Sequence, residues 1–163
     1  MKKLLVLALI AFTGYTANAQ FTAGVSGGLP IGDAGDLATF SIAVDLGYLF
    51  DLSDTFKAGP IAGVSHSFGD DITILGTTFP VEDVQFLPVG AGARFSASDA
   101  FTLGADLGYA VGINEGNDGG FYYSPRVQYS ISDLIDLVLA YRGVSRDGGS
   151  WDIISFGFEF GID

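Results

Sequence analysis

The chain has no cysteine, one histidine, one tryptophan and only seven basic residues against nineteen acidic ones in a length of 163. The absence of cysteine excludes disulfides, thiolate metal sites and a lipid-modified cysteine at position 20. The shortage of Lys and Arg speaks against nucleic-acid binding, which depends on neutralising phosphates with cationic side chains. Long apolar runs are also missing. After residue 19 nothing approaches the roughly 18 consecutive apolar residues of a transmembrane helix, although 48% of the chain is hydrophobic. The apolar residues are therefore spread out, and a helical membrane protein is excluded.

The one apolar run is N-terminal and short. Lys2 and Lys3 form a basic n-region, Leu4 to Phe12 an apolar h-region, and Ala17-Asn18-Ala19 a small-residue cleavage site before Gln20. Residues 1–19 are read as a secretory signal peptide, leaving 20–163 as one domain without a linker. Its removal takes the formal charge from −12 to −14, with Lys57, Arg94, Arg126, Arg142 and Arg146 as the remaining cations.

What is present is a repeated turn. Leu52-Ser53-Asp54-Thr55, Ala97-Ser98-Asp99-Ala100 and Ile131-Ser132-Asp133-Leu134 each separate two segments in which apolar and small or polar residues alternate. Short Asp and Ser side chains bond to nearby backbone groups, so these six residues are read as structural turn residues. Alternation predicts eight strands at about 21–28, 40–50, 55–67, 84–96, 101–113, 121–131, 135–145 and 152–162. Short turns then fall at 51–54, 97–100 and 132–134, and longer connections at about 29–39, 68–83, 114–120 and 146–151. The fold expected is all-β, an eight-stranded antiparallel transmembrane β-barrel of up-and-down topology, with short periplasmic turns, long external loops and both termini on the periplasmic side.

The two faces of the strands differ in size rather than only in polarity. Phe40, Ile42, Val44, Leu46, Tyr48 and Phe50 oppose Ser41, Ala43, Asp45 and Gly47; Phe101, Leu103, Ala105, Leu107, Tyr109 and Val111 oppose Thr102, Gly104, Asp106, Gly108 and Ala110. In the last strand Ile154, Phe156, Phe158, Phe160 and Ile162 oppose Ser155, Gly157, Glu159 and Gly161. A face of Gly, Ala and Ser suits the narrow interior of an eight-stranded barrel, and the bulky face then meets lipid. Aromatic residues gather at strand ends as two interfacial girdles, Phe50, Phe56, Phe95, Phe101 and Tyr129 by the short turns and Phe40, Phe68, Phe121, Tyr122, Tyr123 and Trp151 by the long loops. Pro60, Pro88 and Pro125 fall within strands, where they cannot donate a ladder hydrogen bond, and are read as bulges or misplaced boundaries.

The signal segment, the Ser-Asp turns, the eight alternating segments and the aromatic-rich end Ser155-Phe156-Gly157-Phe158-Glu159-Phe160-Gly161 together resemble small outer-membrane β-barrel proteins of the OmpA/OmpX-like, porin-family kind. The resemblance is architectural and spans the whole mature chain. It implies outer-membrane lipids as surroundings, barrel-assembly and periplasmic chaperone machinery as partners during biogenesis, a monomer, and no cofactor. In that family the last strand commonly ends in an aromatic residue read by the assembly machinery; here Phe160 is followed by Gly161-Ile162-Asp163.

The same alternation places Asp45, Asp106, Asp136 and Glu159 inside the barrel with Lys57, Arg94, Arg126 and Arg142. Buried charges persist when paired and hydrogen-bonded, so a lumenal salt-bridge network is expected to close the barrel. The alternatives are a narrow ion or small-solute path lined by these charges and a soluble lipocalin-like barrel with the bulky face inside. The external loops collect Asp33, Asp36, Asp70, Asp71, Glu82, Asp83, Glu115, Asp118 and Asp147. A solvated acidic surface for an unspecified partner is the reading, with Asp70-Asp71 or Glu82-Asp83 as alternative contributors to a divalent-cation site without EF-hand spacing. His66 stands between Ser65 and Ser67, which alternation sends to the opposite face, so no Ser-His pair and no enzyme is expected. The glycines at 24–28 and 116–120 lack the strand-loop-helix setting of nucleotide binding.

Overall fold

The computed structural model describes residues 19–162. The expected signal segment lies outside the described residues, apart from Ala19, which stands in a strand opposite Phe50. In chain order the strands are β1 (Ala19–Ile31), β2 (Ala38–Ser53), β3 (Phe56–Gly69), β4 (Ile72–Ile74), β5 (Thr77–Phe79), β6 (Val84–Ser96), β7 (Phe101–Gly112), β8 (Gly120–Ser132), β9 (Ile135–Arg146) and β10 (Gly149–Ile162). Eight of them close into one barrel in the order β1-β10-β9-β8-β7-β6-β3-β2. β1 meets β10 antiparallel from Phe21 opposite Ile162 to Ile31 opposite Asp152, which leaves the barrel itself without an edge strand.

Alternation explains both faces. Ile42, Val44, Leu46 and Tyr48 on β2 and Leu103, Leu107 and Tyr109 on β7 are exposed, while Ser41, Ala43, Thr22 and Ser124 are buried inside. A surface with large hydrophobic side chains around its circumference is suited to lipid, where a closed ladder pairs most of the barrel's backbone groups within the barrel. The lipocalin-like alternative needs the bulky face inward; the structure turns it outward.

The short turns are Asp54-Thr55, 97–100 and Asp133-Leu134. Within them Ser53 Oγ accepts from Thr55 N at 3.3 Å, Ser98 Oγ from Phe101 N at 3.1 Å and Ser132 Oγ from Leu134 N at 3.4 Å, whereas the side chains of Asp54, Asp99 and Asp133 make no such bond among the described residues. The long connections differ more. Segment 29–39 is shortened by β1 and contains a 3-10 turn at Gly32–Ala34, whereas 68–83 contains the β4–β5 hairpin, a two-stranded sheet of its own. Segment 146–151 is no loop at all: Ser150 and Trp151 pair with Ser145 and Val144, and the reversal needs only Asp147-Gly148, with Gly148 at φ +90°.

The three prolines mark neither bulges nor boundaries. The register runs on past each of them, but pairing lapses for two positions on one side, between Gly47–Ile61 and Phe50–Ala58 at Pro60, between Ala62–Val89 and Ser65–Phe86 at Pro88, and between Tyr123–Gly143 and Arg126–Ala140 at Pro125. A missing N–H donor thus opens the ladder locally while neighbouring pairs hold the register. The actual register shifts lie near strand ends, at Ala38/Phe40, Asp51/Ser53 and Ser130/Ser132.

At the long-loop end the lumen is apolar. Phe86, Ala110, Tyr122, Val144, Trp151 and Ile153 pack with Ala38 and with Ala34 of the 3-10 turn. Tyr122 and Trp151, expected in the girdle, therefore point inward. Their strands' own phases require it: Phe121 and Tyr123 face outward around Tyr122, and Ile154, Phe156 and Phe158 face outward in β10, so Trp151, Ile153 and Ser155 face inward. The other aromatics of the long-loop girdle, Phe40, Phe68, Phe121 and Tyr123, stay on the outer face.

Candidate functional site

Inward-facing positions of β6, β7, β8 and β10 bring four charges together in mid-lumen. Asp106 Oδ1 accepts from Arg94 Nη1 at 2.6 Å and its Oδ2 from Arg126 Nη1 at 3.2 Å. Glu159 completes the ring, taking Arg126 Nη2 at 2.8 Å on Oε2 and Gln128 Nε2 at 2.7 Å on Oε1, with Arg94 Nη2 4.0 Å away. All four are buried. Both carboxylates are held by charge-assisted bonds, the condition under which buried ions persist. The Nε atoms of Arg94 and Arg126 have no partner among the described residues.

Asp45 and Arg142 form a second unit. Arg142 Nη1 donates to Asp45 Oδ1 at 3.0 Å and Nη2 to Oδ2, a bidentate pair joining β2 to β9 with β1 and β10 between them. Arg142 Nε donates to Ser155 Oγ at 3.0 Å and Nη2 to Ser26 Oγ at 3.3 Å. Glycines leave the space these long side chains occupy. A Cβ on Gly104 would stand 2.8 Å from Arg94 Cδ, and one on Gly63 2.7 Å from Asp45 Oδ1.

Of the eight charges that alternation sends inward, the structure brings these six into two units and leaves two apart. Lys57 lies near the short-turn mouth, half-exposed, 3.3 Å from Asp51 and donating to Gln20 Oε1 at 3.2 Å. Asp136 lines the same mouth without an ion pair or hydrogen bond among the described residues. Together with Arg94, Gln128 and Glu159 they surround a vestibule of about 690 Å³ that opens at the short-turn end. Deeper in, the space beside Asp45, Arg126 and Arg142 is only about 10 Å³, room for about one water.

Above the ions comes the apolar layer. Phe86 and Trp151 rings stand 6.5 Å apart, Trp151 Nε1 donates to Ser67 Oγ at 3.1 Å, and Ser67 Oγ lies 2.6 Å from Ser41 Oγ. The Arg146 guanidinium stacks on the same indole at 5.3 Å. Ion pairs and then an aromatic layer thus occupy the lumen in succession, and the aromatic layer was not expected from the sequence.

His66 faces outward while Ser65 and Ser67 face inward. Its Nδ1 accepts from Gln85 Nε2 at 2.9 Å and its Nε2 lies 3.0 Å from Asp83 Oδ2, while Asp83 Oδ1 accepts from Gly69 N at 2.9 Å. This cluster ties β3 to the segment leading into β6. Among the described residues no group of three or more acidic, His or Cys side chains is placed to hold a metal ion.

No family model and no curated protein matches the chain. Solved structures do. Ail, the attachment invasion locus protein of Yersinia pestis, superposes with a TM-score of 0.58 at 14% identity over 91% of this chain and 100% of that one. The same protein in complex with the heparin analogue sucrose octasulfate gives 0.56 at 14% over 88% and 97%. A de novo designed transmembrane β-barrel gives 0.56 at 13% over 88% and 95%. The fold of this chain is that of the small outer-membrane β-barrels.

Proposed function

We propose that the chain is exported to the outer membrane of a Gram-negative-type bacterium, stands there as a monomer with its short turns and termini in the periplasm, and acts at the cell surface through its outer loops. What supports this reading is the packing of the lumen by the ion ring, the Asp45–Arg142 pair and the aromatic layer, which leaves the loop end as the part available to a partner. Most prominent there is the β4–β5 hairpin. Leu75 at its tip is fully exposed and held at φ +51°, beside Gly76 at φ +82°. A branched apolar residue is unfavourable both in that conformation and in water, so contact with a partner would account for it.

The likeness to Ail, whose name is that of an attachment protein, agrees with a surface role. The sulfated ligand of one Ail structure does not transfer. The loops here carry Asp33, Asp36, Asp70, Asp71, Glu115, Asp118 and Asp147, and a polyanion would be repelled by them.

A small-solute channel is the second reading, favoured by the vestibule, and it requires both closing layers to move. Recording from purified protein in a planar bilayer separates the two. Silence is expected; large, steady conductance would replace the surface role with a channel.

A further inference from the structure

The vestibule holds two pairs of like charges, and one of the four charges, Asp136, has no partner among the described residues. Lys57 and Arg94 face each other directly across β3 and β6, and Asp136 and Glu159 face each other directly across β9 and β10. Like charges in directly opposed, same-face positions are unfavourable. In the closed order of the barrel, two strands separate one pair from the other on either side, β7 and β8 one way and β1 and β2 the other. The two like-charged pairs therefore stand on diametrically opposite walls, one cationic and one anionic.

The buried member of each pair is engaged with the ion ring, the more exposed one is not. Arg94 is committed to Asp106, and Glu159 to Arg126 and Gln128. Lys57 keeps only a half-exposed contact with Asp51 and a bond to Gln20, and such surface pairs are weak enough to exchange. Asp136 has no partner among the described residues. Between the two walls Arg94 Nη2 and Glu159 Oε2 come as close as 4.0 Å.

We propose that this vestibule binds small zwitterions, molecules of amino-acid to short-peptide size bearing one carboxylate and one ammonium group. The carboxylate meets Lys57, the ammonium meets Asp136, and Arg94 and Glu159 present the same polarity beside them. The turn acids Asp54, Asp99 and Asp133 around the mouth favour entry of the ammonium end first. A volume of about 690 Å³ holds a dipeptide with water to spare. Two opposite charges recognised together give selectivity that neither gives alone. The site does not depend on whether the lumen conducts, since the vestibule ends at the ion ring.

The test is a solution NMR titration of the mature barrel in detergent micelles, with glycylglycine as probe and acetate and methylammonium as single-charge controls. Amide shifts around Lys57 and Asp136 should saturate with glycylglycine at a concentration about tenfold lower than with either control. Lys57→Gln and Asp136→Asn should each bring glycylglycine to the control level, and Lys57→Asp combined with Asp136→Lys should restore the preference with the ligand reversed. Equal response to all three probes, or no saturable shift with glycylglycine, overturns the proposal. Heat-modifiable gel mobility shows which variants are folded; if one is not, the comparison of the three probes on the unaltered barrel decides alone.

Discussion

Asp106 is the residue on which the ion ring turns, because each of its oxygens holds a different guanidinium. Asp106→Asn leaves Arg94 and Arg126 buried with Glu159 as the remaining carboxylate, and removing one partner from a buried ion set costs about 3–5 kcal/mol. Urea unfolding in detergent should show that loss, while Asp136→Asn should stay within about 0.5 kcal/mol because no partner is deprived. Gly104 supports the same ring by its lack of a side chain. In Gly104→Ala the new Cβ would lie 2.8 Å from Arg94 Cδ and 3.0 Å from the Ala93 carbonyl oxygen. Backbone cannot yield as a flexible side chain can, so a loss of about 1–3 kcal/mol is expected in the same measurement. Parity along the strands was enough to gather the six charges of the two units on one face, but the sequence set missed Asp51, opposite Lys57, and Arg146, on the Trp151 indole. Which acid meets which base was not legible, since that depends on strand tilt and stagger around the closed barrel. Arg142 finds Asp45 across two intervening strands, and nothing local in either segment marks the other.

At the scale of elements, the eight strands and the Ser-Asp turns were legible because alternation and turn chemistry act over a few residues. The β4–β5 hairpin was not. Its strands are three residues each and stand between Asp70-Asp71 and Glu82-Asp83, so loop composition masks them. Its turn, Leu75-Gly76, also departs from the Asn-Gly and Asp-Gly pairs that signal a two-residue reversal. Trp151 and Tyr122 were misplaced although the phases of β10 and β8 contained the answer, because aromatic residues near strand ends fit a girdle equally well. The hairpin is a separate sheet, so replacing residues 72–79 with a Gly-Ser linker should leave heat-modifiable mobility unchanged and abolish attachment to whatever surface the protein recognises. Leu75→Asn tests the tip more finely. Asn tolerates the left-handed backbone, so the hairpin keeps its shape and loses only the apolar contact. Attachment by cells displaying that variant should fall without loss of the folded barrel; undiminished attachment would remove Leu75 from the recognition surface.

For the whole molecule the question is what each closing layer contributes. Ions and apolar rings stop permeation by different means. An ion layer that spans the lumen would block it with side chains joined by charge-assisted bonds, whereas an aromatic layer would expel water and so exclude the solvated ions that water carries. Either layer suffices by itself if both span the lumen. Trp151→Ala with Phe86→Ala should therefore leave the barrel silent in a planar bilayer, because the Arg94–Asp106–Arg126–Glu159 ring and the Asp45–Arg142 pair remain. Arg126→Ala with Arg142→Ala should also be silent, because Trp151, Phe86 and Tyr122 still fill the long-loop end. Only the four substitutions together join the vestibule to the outer mouth, and steady conductance is expected from that variant alone. Opening by either pair would show that the other layer does not span the lumen. Silence of the fourfold variant, in protein that retains heat-modifiable mobility, would mean that Tyr122, Ile153 and the 3-10 turn around Ala34 close the outer end without the two large rings.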